Sequence, residues 1–118
     1  MRPRAVVTGA ARRVGRAIAL ELAASGFDVL VHCHRSVDDA EAVADGVRAV
    51  GGEASVVATD LATVEGCAKL VEAVQARWSG LEVLVNNASV FEPRPLEAID
   101  LAHWEWMHAV NSRAPFLL

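Results

Sequence analysis

A glycine-spaced turn near the start of the chain has residues suited to phosphate binding. Residues 9–15 read Gly-Ala-Ala-Arg-Arg-Val-Gly and follow Ala5–Thr8, a small and apolar run that predicts a strand. Gly9 permits a tight turn, and Gly15 lets a following helix pack closely on a sheet. The backbone N–H groups between them, that of Val14 included, would lie at a helix N-terminus, where a pyrophosphate is stabilised. Arg13 stands where a middle glycine is usual. The turn predicts dinucleotide binding, although two glycines also occur in many ordinary strand-to-helix turns.

Basic and hydroxyl side chains follow the second predicted strand, about 20 residues after the turn. NAD sites usually place an acid there to bind the ribose 2′-hydroxyl, but this chain has Arg35 between His34 and Ser36. An acid would repel a 2′-phosphate, whereas an arginine can bind it with two parallel hydrogen bonds. The predicted cofactor is therefore NADP(H), and the alternative is a solvated basic turn. The run His32-Cys33-His34 does not predict a metal site, because alternation along a strand sends Cys33 to the face opposite both histidines.

The third and fourth predicted strands also end at candidate cofactor residues. Asp60, followed by Leu61, could reach an adenine edge or could instead cap the next helix. Asn87, Ala88 and Ser89 follow the fourth strand. Small and amide residues would let the backbone approach a cofactor ring and would tie down the neighbouring strand end. The alternative is an ordinary asparagine-rich turn.

A proline sits four residues after an asparagine near the end of the chain. Pro115 has no N–H to donate to the carbonyl of Asn111, and its ring presses against that carbonyl. We therefore expect a kink that leaves the Asn111 carbonyl free for water or another partner. The alternative is a kinked helix that serves packing alone.

Short β-rich runs alternate with helical patterns and predict the elements that position these residues. The predicted strands are Ala5–Thr8, Asp28–Cys33, Ala54–Thr59 and Leu81–Asn86. The predicted helices are Val14–Ser25, one from Ser36 to Val50, Val64–Trp78, and a last one capped by Asp100 after the loop Asn87–Ile99. Right-handed crossovers then give a Rossmann-type, doubly wound parallel α/β sheet of order 3-2-1-4. Its ligand site should lie between strands one and four, beyond their carboxyl ends.

The helix patterns carry more detailed expectations. The first helix has Val14, Ala17, Ile18 and Leu22 on one apolar face, and Gly26 stands where a helix commonly ends. Ser36 with Asp39 resembles a capping box with Asp in place of Glu.

Length, charge and cysteine content narrow the function classes. The 118 residues fit one domain, residues 1–118. Residues 1–35 hold six arginines against two acids, whereas the net charge of the whole chain is −4. The acidic remainder argues against nucleic acid and favours a small anionic ligand. No apolar run is long enough to span a membrane. Two cysteines are too few for a disulfide framework, which predicts a cytoplasmic setting.

Taken together, four motifs resemble the short-chain dehydrogenase/reductases over the whole chain. They are the Thr8-Gly9-Ala10-Ala11 turn, the Asp60-Leu61 pair, the Asn86-Asn87-Ala88 strand end, and Asn111 in a kinked helix. Three further segments are similar to the pteridine reductase branch of that family: Arg12-Arg13, His32–Ser36 and Asn87–Leu96.

The resemblance implies a role for each candidate residue. The residues already expected to bind the cofactor are Gly9, Arg13, Val14, Gly15, Asp60, Leu61, Asn87, Ala88 and Ser89. By the resemblance, His34, Arg35 and Ser36 would hold the 2′-phosphate, and Arg13, Ser89 and Phe91 would lie at the substrate. Arg13 would also lie near the pyrophosphate, and Phe91 would stack on a pterin ring. Taken alone, Phe91 is a loop aromatic expected in the core. Asn111 would act in catalysis by holding a water that relays protons.

The chain departs from the family at the catalytic Tyr-x-x-x-Lys pair. It contains no tyrosine, and its only lysine is Lys69, in the middle of the third predicted helix. We therefore expect an inactive N-terminal half of a longer NADPH-dependent reductase that acts on a carbonyl or a pterin-like C=N bond. A 3-oxoacyl or sugar carbonyl reductase is an alternative within the family. A non-catalytic nucleotide-binding or interaction protein that ends at Leu118 is an alternative of another class.

The last helix predicts self-association of the complete protein as a homodimer or homotetramer. Its large apolar stripe cannot all be buried on a four-stranded sheet, and in the family this helix commonly pairs across a two-fold axis. The stripe comprises Leu101, Trp104, Met107, His108, Pro115 and Leu118. The alternative is that it packs against further strands and helices of a longer chain.

Overall fold

Four parallel strands form the sheet in the computed structural model, which describes all residues from Met1 to Leu118. The strands are β1 (Arg4–Val7), β2 (Asp28–Cys33), β3 (Ala54–Ala58) and β4 (Val83–Val85). They lie in the order β3-β2-β1-β4, which confirms the predicted order. The sheet places the carboxyl ends of β1 and β4 side by side, since Val7 pairs with Val85.

Helices connect the strands and cover both faces of the sheet. They are α1 (Arg13–Ala24), α2 (Val37–Ala49), α3 (Val64–Arg77), α4 (Leu101–His108) and α5 (Ala114–Leu117). A 3₁₀ turn at Leu96–Ala98 precedes α4, and a π-helical turn at Ala109–Arg113 separates α4 from α5. The Rossmann-type parallel α/β fold is confirmed. No helix is both long and apolar enough to cross a membrane.

Alternation along the strands divides the apolar core into two layers. Val7 and Val31 pack with residues of α1 and α2 on one face. Val6 and Leu30 pack with Leu70 of α3 on the other. All six residues of β2 are buried, as expected for a strand between two helical layers.

The side of α1 that faces the sheet is lined by small residues. Gly15, Ala19 and Ala23 are buried, whereas Val14 is 64% exposed. Small side chains let the helix lie close to the sheet, so the larger apolar residues of the predicted face are left at its flank. The apolar face predicted from the sequence is therefore packed only in part: Ile18 and Leu22 are partly buried against the core, whereas Val14 is exposed.

Helix termini follow the predictions in two cases and depart from them in another. Asp100 caps α4, because its Oδ1 accepts from the His103 N–H at 2.8 Å. Gly26 follows α1 and donates to the Ala23 carbonyl, as predicted for a glycine at a helix end. Ser36 is the N-cap residue of α2, but its side chain makes no capping hydrogen bond. The predicted capping box is therefore wrong, because Asp39 pairs with Arg12 instead.

The predicted irregularity near Pro115 is a π-helical turn that begins at Ala109, before the proline. The Ala114 N–H bonds the Ala109 carbonyl, five residues back. Widened turns of this kind accommodate a break in the regular helical ladder and are frequent at functional sites.

Candidate functional site

A cleft of about 400 Å³ opens beyond the carboxyl ends of β1 and β4. It is lined by nine of the residues singled out in the sequence: Gly9, Arg13, Val14, Gly15, His34, Leu61, Asn87, Ala88 and Ser89. Arg35 and Ser36 line an adjoining depression beside the start of α2. Arg12, which the sequence interpretation did not include among the ligand residues, lines both.

The turn after β1 is shaped by two close backbone approaches. Gly9 has a φ of +60°, and an added Cβ would lie 2.9 Å from the Ala88 Cα. At Gly15 an added Cβ would overlap the Gly9 carbonyl oxygen and lie 2.6 Å from the Asn87 Nδ2. These contacts explain both glycines and bring the start of α1 against the end of β4.

Arg13 adopts a left-handed backbone conformation. Its φ is 51°, the only positive value at a residue other than glycine. This conformation costs roughly 1–2 kcal/mol for a residue with a Cβ, which is why glycine is usual at this position. Arg13 is exposed and lines the cleft, so the turn places a guanidinium there at the expense of backbone strain.

Thr8 and Asn87 connect the ends of β1 and β4. The Thr8 hydroxyl accepts from the N–H groups of Asn87 and Ala88, each at 3.0 Å. The Asn87 amide donates to the carbonyls of Thr8 and Gly9, each at 3.1 Å. Asn87 thus ties down the neighbouring strand end, as the sequence predicted.

The first turn of α1 has free backbone donors. Arg16 is the first residue whose N–H bonds back to the helix start, at the Arg12 carbonyl. The N–H groups of Val14 and Gly15 have no acceptor within the protein, and the N-cap residue Arg12 provides no side-chain cap. Both residues line the cleft, so this helix terminus can donate to an anionic group there.

The cations around the cleft differ in whether a carboxylate pairs with them. Arg12 Nε lies 2.6 Å from Asp39 Oδ2, so this pair connects the turn to α2. Arg13 and Arg35 are exposed and form no salt bridge. Two guanidinium groups are therefore free to bind an anion.

Asp60 lies beside His34, a residue that lines the cleft, and does not cap a helix. Its Oδ1 accepts from the Ala62 N–H at 2.9 Å, and its Oδ2 is 3.9 Å from His34 Nε2. Thr63 caps α3 instead, accepting from the Gly66 N–H at 2.9 Å. The helix-capping alternative for Asp60 is thus wrong, and its carboxylate stabilises the local turn beside His34.

Buried His32 contacts the turn directly and was missed as a functional residue. It is 2% exposed, its Nδ1 lies 3.1 Å from the Gly9 backbone nitrogen, and its Nε2 lies 3.0 Å from the Thr59 carbonyl oxygen. Burial lowers the pKa of His32 below its ordinary value of 6.5. A polar residue at a fully buried strand position beside the turn is the sequence signal that could have identified it.

Asn111 and Phe91 lie outside the residues that line the cleft. The Asn111 side chain accepts from the Val90 N–H and donates to the Val90 carbonyl, both at 2.8 Å. Because Val90 lines the cleft, Asn111 anchors its wall. Phe91 is 80% exposed, so the expectation that it packs into the core is wrong.

Comparison with known proteins identifies relatives of the chain. The sequence profile described as short chain dehydrogenase matches residues 3–118. A 3-oxoacyl-[acyl-carrier-protein] reductase of Staphylococcus epidermidis is 33% identical over 116 residues, which cover 98% of this chain and 48% of the reductase.

Solved structures superpose closely on the fold. A short chain dehydrogenase from Burkholderia cenocepacia in complex with NADP has a TM-score of 0.93 at 36% identity, covering 98% of this chain and 47% of that one. The FolM alternative dihydrofolate reductase 1 from Brucella canis, complexed with NADP, has a TM-score of 0.89 at 40% identity, covering 98% and 46%. The chain spans about half the length of the curated relatives it matches.

Proposed function

This chain belongs to the short-chain dehydrogenase family, and we propose that it binds NADP(H) for hydride transfer to a small carbonyl or pterin-like substrate. The observation that carries the proposal is the start of α1. There, the unbonded N–H groups of Val14 and Gly15 and the unpaired Arg13 line one cleft. An anionic pyrophosphate satisfies all three groups.

The residues of the cleft fit a dinucleotide in shape as well as charge. The contacts around Gly9 and Gly15 leave no room for side chains, so the backbone forms the floor against which a cofactor would lie. Ala88 and Ser89 add small side chains to this surface, and Leu61 adds an apolar one. NADP in the structures of two relatives supports the same choice of cofactor.

The adjoining depression suits the 2′-phosphate that distinguishes NADP from NAD. Arg35 offers an unpaired guanidinium and Ser36 a hydroxyl that caps no helix. Arg12 lies between this depression and the main cleft, where its pairing with Asp39 holds it in place. His34 adds an imidazole at the rim. This arrangement supports a preference for NADPH over NADH.

Bound NADPH supplies a hydride from its nicotinamide ring. Two asparagines of the chain fix the backbone that follows β4. Asn87 ties the ends of β1 and β4 together, and Asn111 anchors Val90. The chain has no tyrosine, and Lys69 is an exposed residue of α3. We propose that these 118 residues alone support cofactor binding without turnover, since the proton donor of the family's reaction is missing.

The loop after β4 favours a pterin-like substrate. Phe91 is exposed on that loop, and an exposed aromatic ring can stack on a flat heterocycle. A relative named as an alternative dihydrofolate reductase supports this choice. The 3-oxoacyl carrier-protein reductase remains the rival, because a relative with that name aligns over nearly the whole chain.

Self-association of the complete protein is a further part of the proposal. Trp104 is 53% exposed on α4, and Phe116 is 85% exposed on α5. Both line one shallow depression, which suits an isologous contact between two copies. Sedimentation of the complete protein at micromolar concentration tests it, and a clean monomer contradicts it.

Titration calorimetry of the chain with NADPH and NADH tests the central proposal. We expect NADPH to bind and to bind more tightly than NADH. If neither binds, the proposed function is wrong.

NADPH oxidation by the complete protein, followed with dihydropteridine and with 3-oxoacyl substrates, separates the two substrate classes. We expect turnover with the dihydropteridine and none from the 118-residue chain. Faster turnover of the 3-oxoacyl substrate would favour the rival.

A further inference from the structure

The hydrogen bonds of His32 determine its protonation state. Gly9 offers an N–H, so Nδ1 must be the acceptor, and Thr59 offers a carbonyl oxygen, so Nε2 must carry the hydrogen. The ring is therefore the neutral Nε2–H tautomer. With 2% of the residue exposed, water cannot substitute for either partner.

The backbone of His32 holds the same turn. Its carbonyl accepts from the Ala10 N–H at 2.8 Å, next to the Gly9 N–H that its ring accepts. One residue of β2 thus bonds two successive N–H groups of the turn that precedes α1. The free N–H groups of Val14 and Gly15 begin only four residues further along the chain.

We propose that His32 is a positioning residue for the dinucleotide, and that the turn binds the cofactor only while its imidazole is neutral. This inference rests on the proposed function. His32 is buried at the base of the cleft. It would act indirectly, by fixing the conformation of Gly9 and of the residues that follow it.

Protonation of His32 would disfavour, in two ways, the conformation of the turn that binds the cofactor. A hydrogen on Nδ1 would point at the Gly9 N–H, so two donors would face each other and the turn would have to move. The new positive charge would also lie among Arg12, Arg13 and His34, the charged and titratable groups that line the same cleft. Two acids lie close to these groups: Asp39, whose Oδ2 is 2.6 Å from Arg12 Nε, and Asp60, whose Oδ2 is 3.9 Å from His34 Nε2. Burial lowers the pKa of His32, so the change should occur below pH 6.5.

Two substitutions separate the two ring nitrogens. His32→Asn places its side-chain oxygen near the position of Nδ1 and can still accept from Gly9. His32→Gln reaches the position of Nε2 and preserves the bond to Thr59 only. We expect NADPH affinity within about threefold of the unmodified chain for Asn and a loss of about tenfold for Gln. Equal losses in the two variants, or full affinity in the Gln variant, would overturn the inference.

Thermal unfolding of both variants excludes a merely structural role. If His32 only stabilised the fold, affinity would follow the melting temperature in both variants. Should either variant fail to fold, nitrogen NMR of the unmodified chain provides the test. The Nε2–H tautomer is expected, and the Gly9 amide should titrate together with the His32 ring. A Gly9 amide whose chemical shift does not change as the His32 ring titrates would overturn the inference.

The pH dependence is best measured with NADH, which lacks the 2′-phosphate. The 2′-phosphate of NADPH itself titrates near pH 6 and would add its own pH dependence to the binding. We expect NADH affinity to fall by up to tenfold per pH unit below the His32 pKa, and this fall to be absent in His32→Asn.

The same measurements distinguish the two hypotheses. No binding of either dinucleotide to the unmodified chain overturns the proposed function. Binding that does not respond to His32 substitution or protonation overturns only the positioning role.

Discussion

The two ends of the sheet use their charged side chains differently. At the amino end, Arg2 bonds Asp28 at 3.1 Å, and Arg4 bonds Glu82 through both carboxylate oxygens. At the carboxyl end, Arg12 pairs with Asp39, but Arg13 and Arg35 have no carboxylate partner. Cations paired within the protein hold strands together, whereas unpaired cations beside unbonded N–H groups are available to a ligand. The comparison assigns stability to one end and binding to the other.

Backbone geometry follows the same division. The amino ends of β1 and β4 are joined by hydrogen bonds: the Glu82 N–H donates to the Arg4 carbonyl at 3.1 Å, and the Arg4 N–H donates to Glu82 Oε2 at 2.7 Å. The carboxyl end contains the strained Arg13 and the tight approach of Gly15 to Gly9. Strain is tolerated where the surrounding contacts enforce it and where it places a side chain for function.

The largest expected effect is at the tighter of the two glycine contacts in the turn after β1. Gly15→Ala would place a methyl group into the Gly9 carbonyl, so we expect a loss of about 3 kcal/mol in the free energy of unfolding together with loss of NADPH binding. Gly80→Ala is the matched control, because its nearest neighbour would be Arg4 Nη2 at 3.9 Å. Urea unfolding and calorimetry measure both properties. Equal stability of the two variants would contradict the contact geometry.

Replacing one arginine at each end of the sheet by alanine tests whether the amino end stabilises the fold and the carboxyl end binds the cofactor. Arg35→Ala should lower the preference for NADPH over NADH by roughly tenfold to hundredfold without changing the melting temperature, since Arg35 has no partner to lose. Arg4→Ala should lower the melting temperature and leave cofactor affinity unchanged, since its bonds join β1 to Glu82. A preference for NADPH that survives in Arg35→Ala would show that the 2′-phosphate binds elsewhere.

Acid titration sharpens the description of the amino end. Hydrogen bonds from Arg4 lower the pKa of Glu82 from 4.5 to about 2. Because this pKa is lower in the folded chain, the contribution of Glu82 is fully present above about pH 4.5 and is lost as the pH falls toward 2. Urea unfolding across that range should show a shallower pH dependence for Glu82→Gln than for the unmodified chain. Parallel curves would mean that the ion pair does not stabilise the fold.

The sequence predicted the order of elements well because alternation of apolar runs and glycine positions is a local signal. The strand order, the Asp100 cap and the bond between Asn87 and β1 all followed from it. Distances across the sheet were harder to predict. The close approach of α1, which buries Ala19 and leaves Val14 exposed, depends on packing between elements.

The contacts of polar residues were the least predictable part of the site. Asp39 pairs with Arg12 across the turn, so it is unavailable to the predicted capping box. His32 resembles any strand residue in the sequence, and only the fold brings it to Gly9 and Thr59. Such contacts join segments more than 20 residues apart, and no local pattern encodes them.

A small change in stability is expected at Arg13, which combines a strained backbone with an unpaired guanidinium at the cleft. Arg13→Gly removes the guanidinium and relieves the positive φ of 51°. Relief of roughly 1–2 kcal/mol is offset by the greater chain entropy of glycine, about 0.5–1 kcal/mol, so we expect a net gain of about 0.5 kcal/mol in the free energy of unfolding. NADPH affinity should nevertheless fall, by about tenfold.

Arg13→Ala completes this test because it removes the guanidinium and keeps a Cβ at the left-handed position. It should lose the same affinity for NADPH without the gain in stability, so that calorimetry gives similar values for the two variants and urea unfolding separates them. If Arg13→Gly binds NADPH as tightly as the unmodified chain, the arginine does not contact the ligand and the strain has another cause. If both variants are equally stable, the positive φ costs less than the backbone geometry implies. The expected opposition of the two effects, a more stable chain that binds less well, is what a residue strained for function should show.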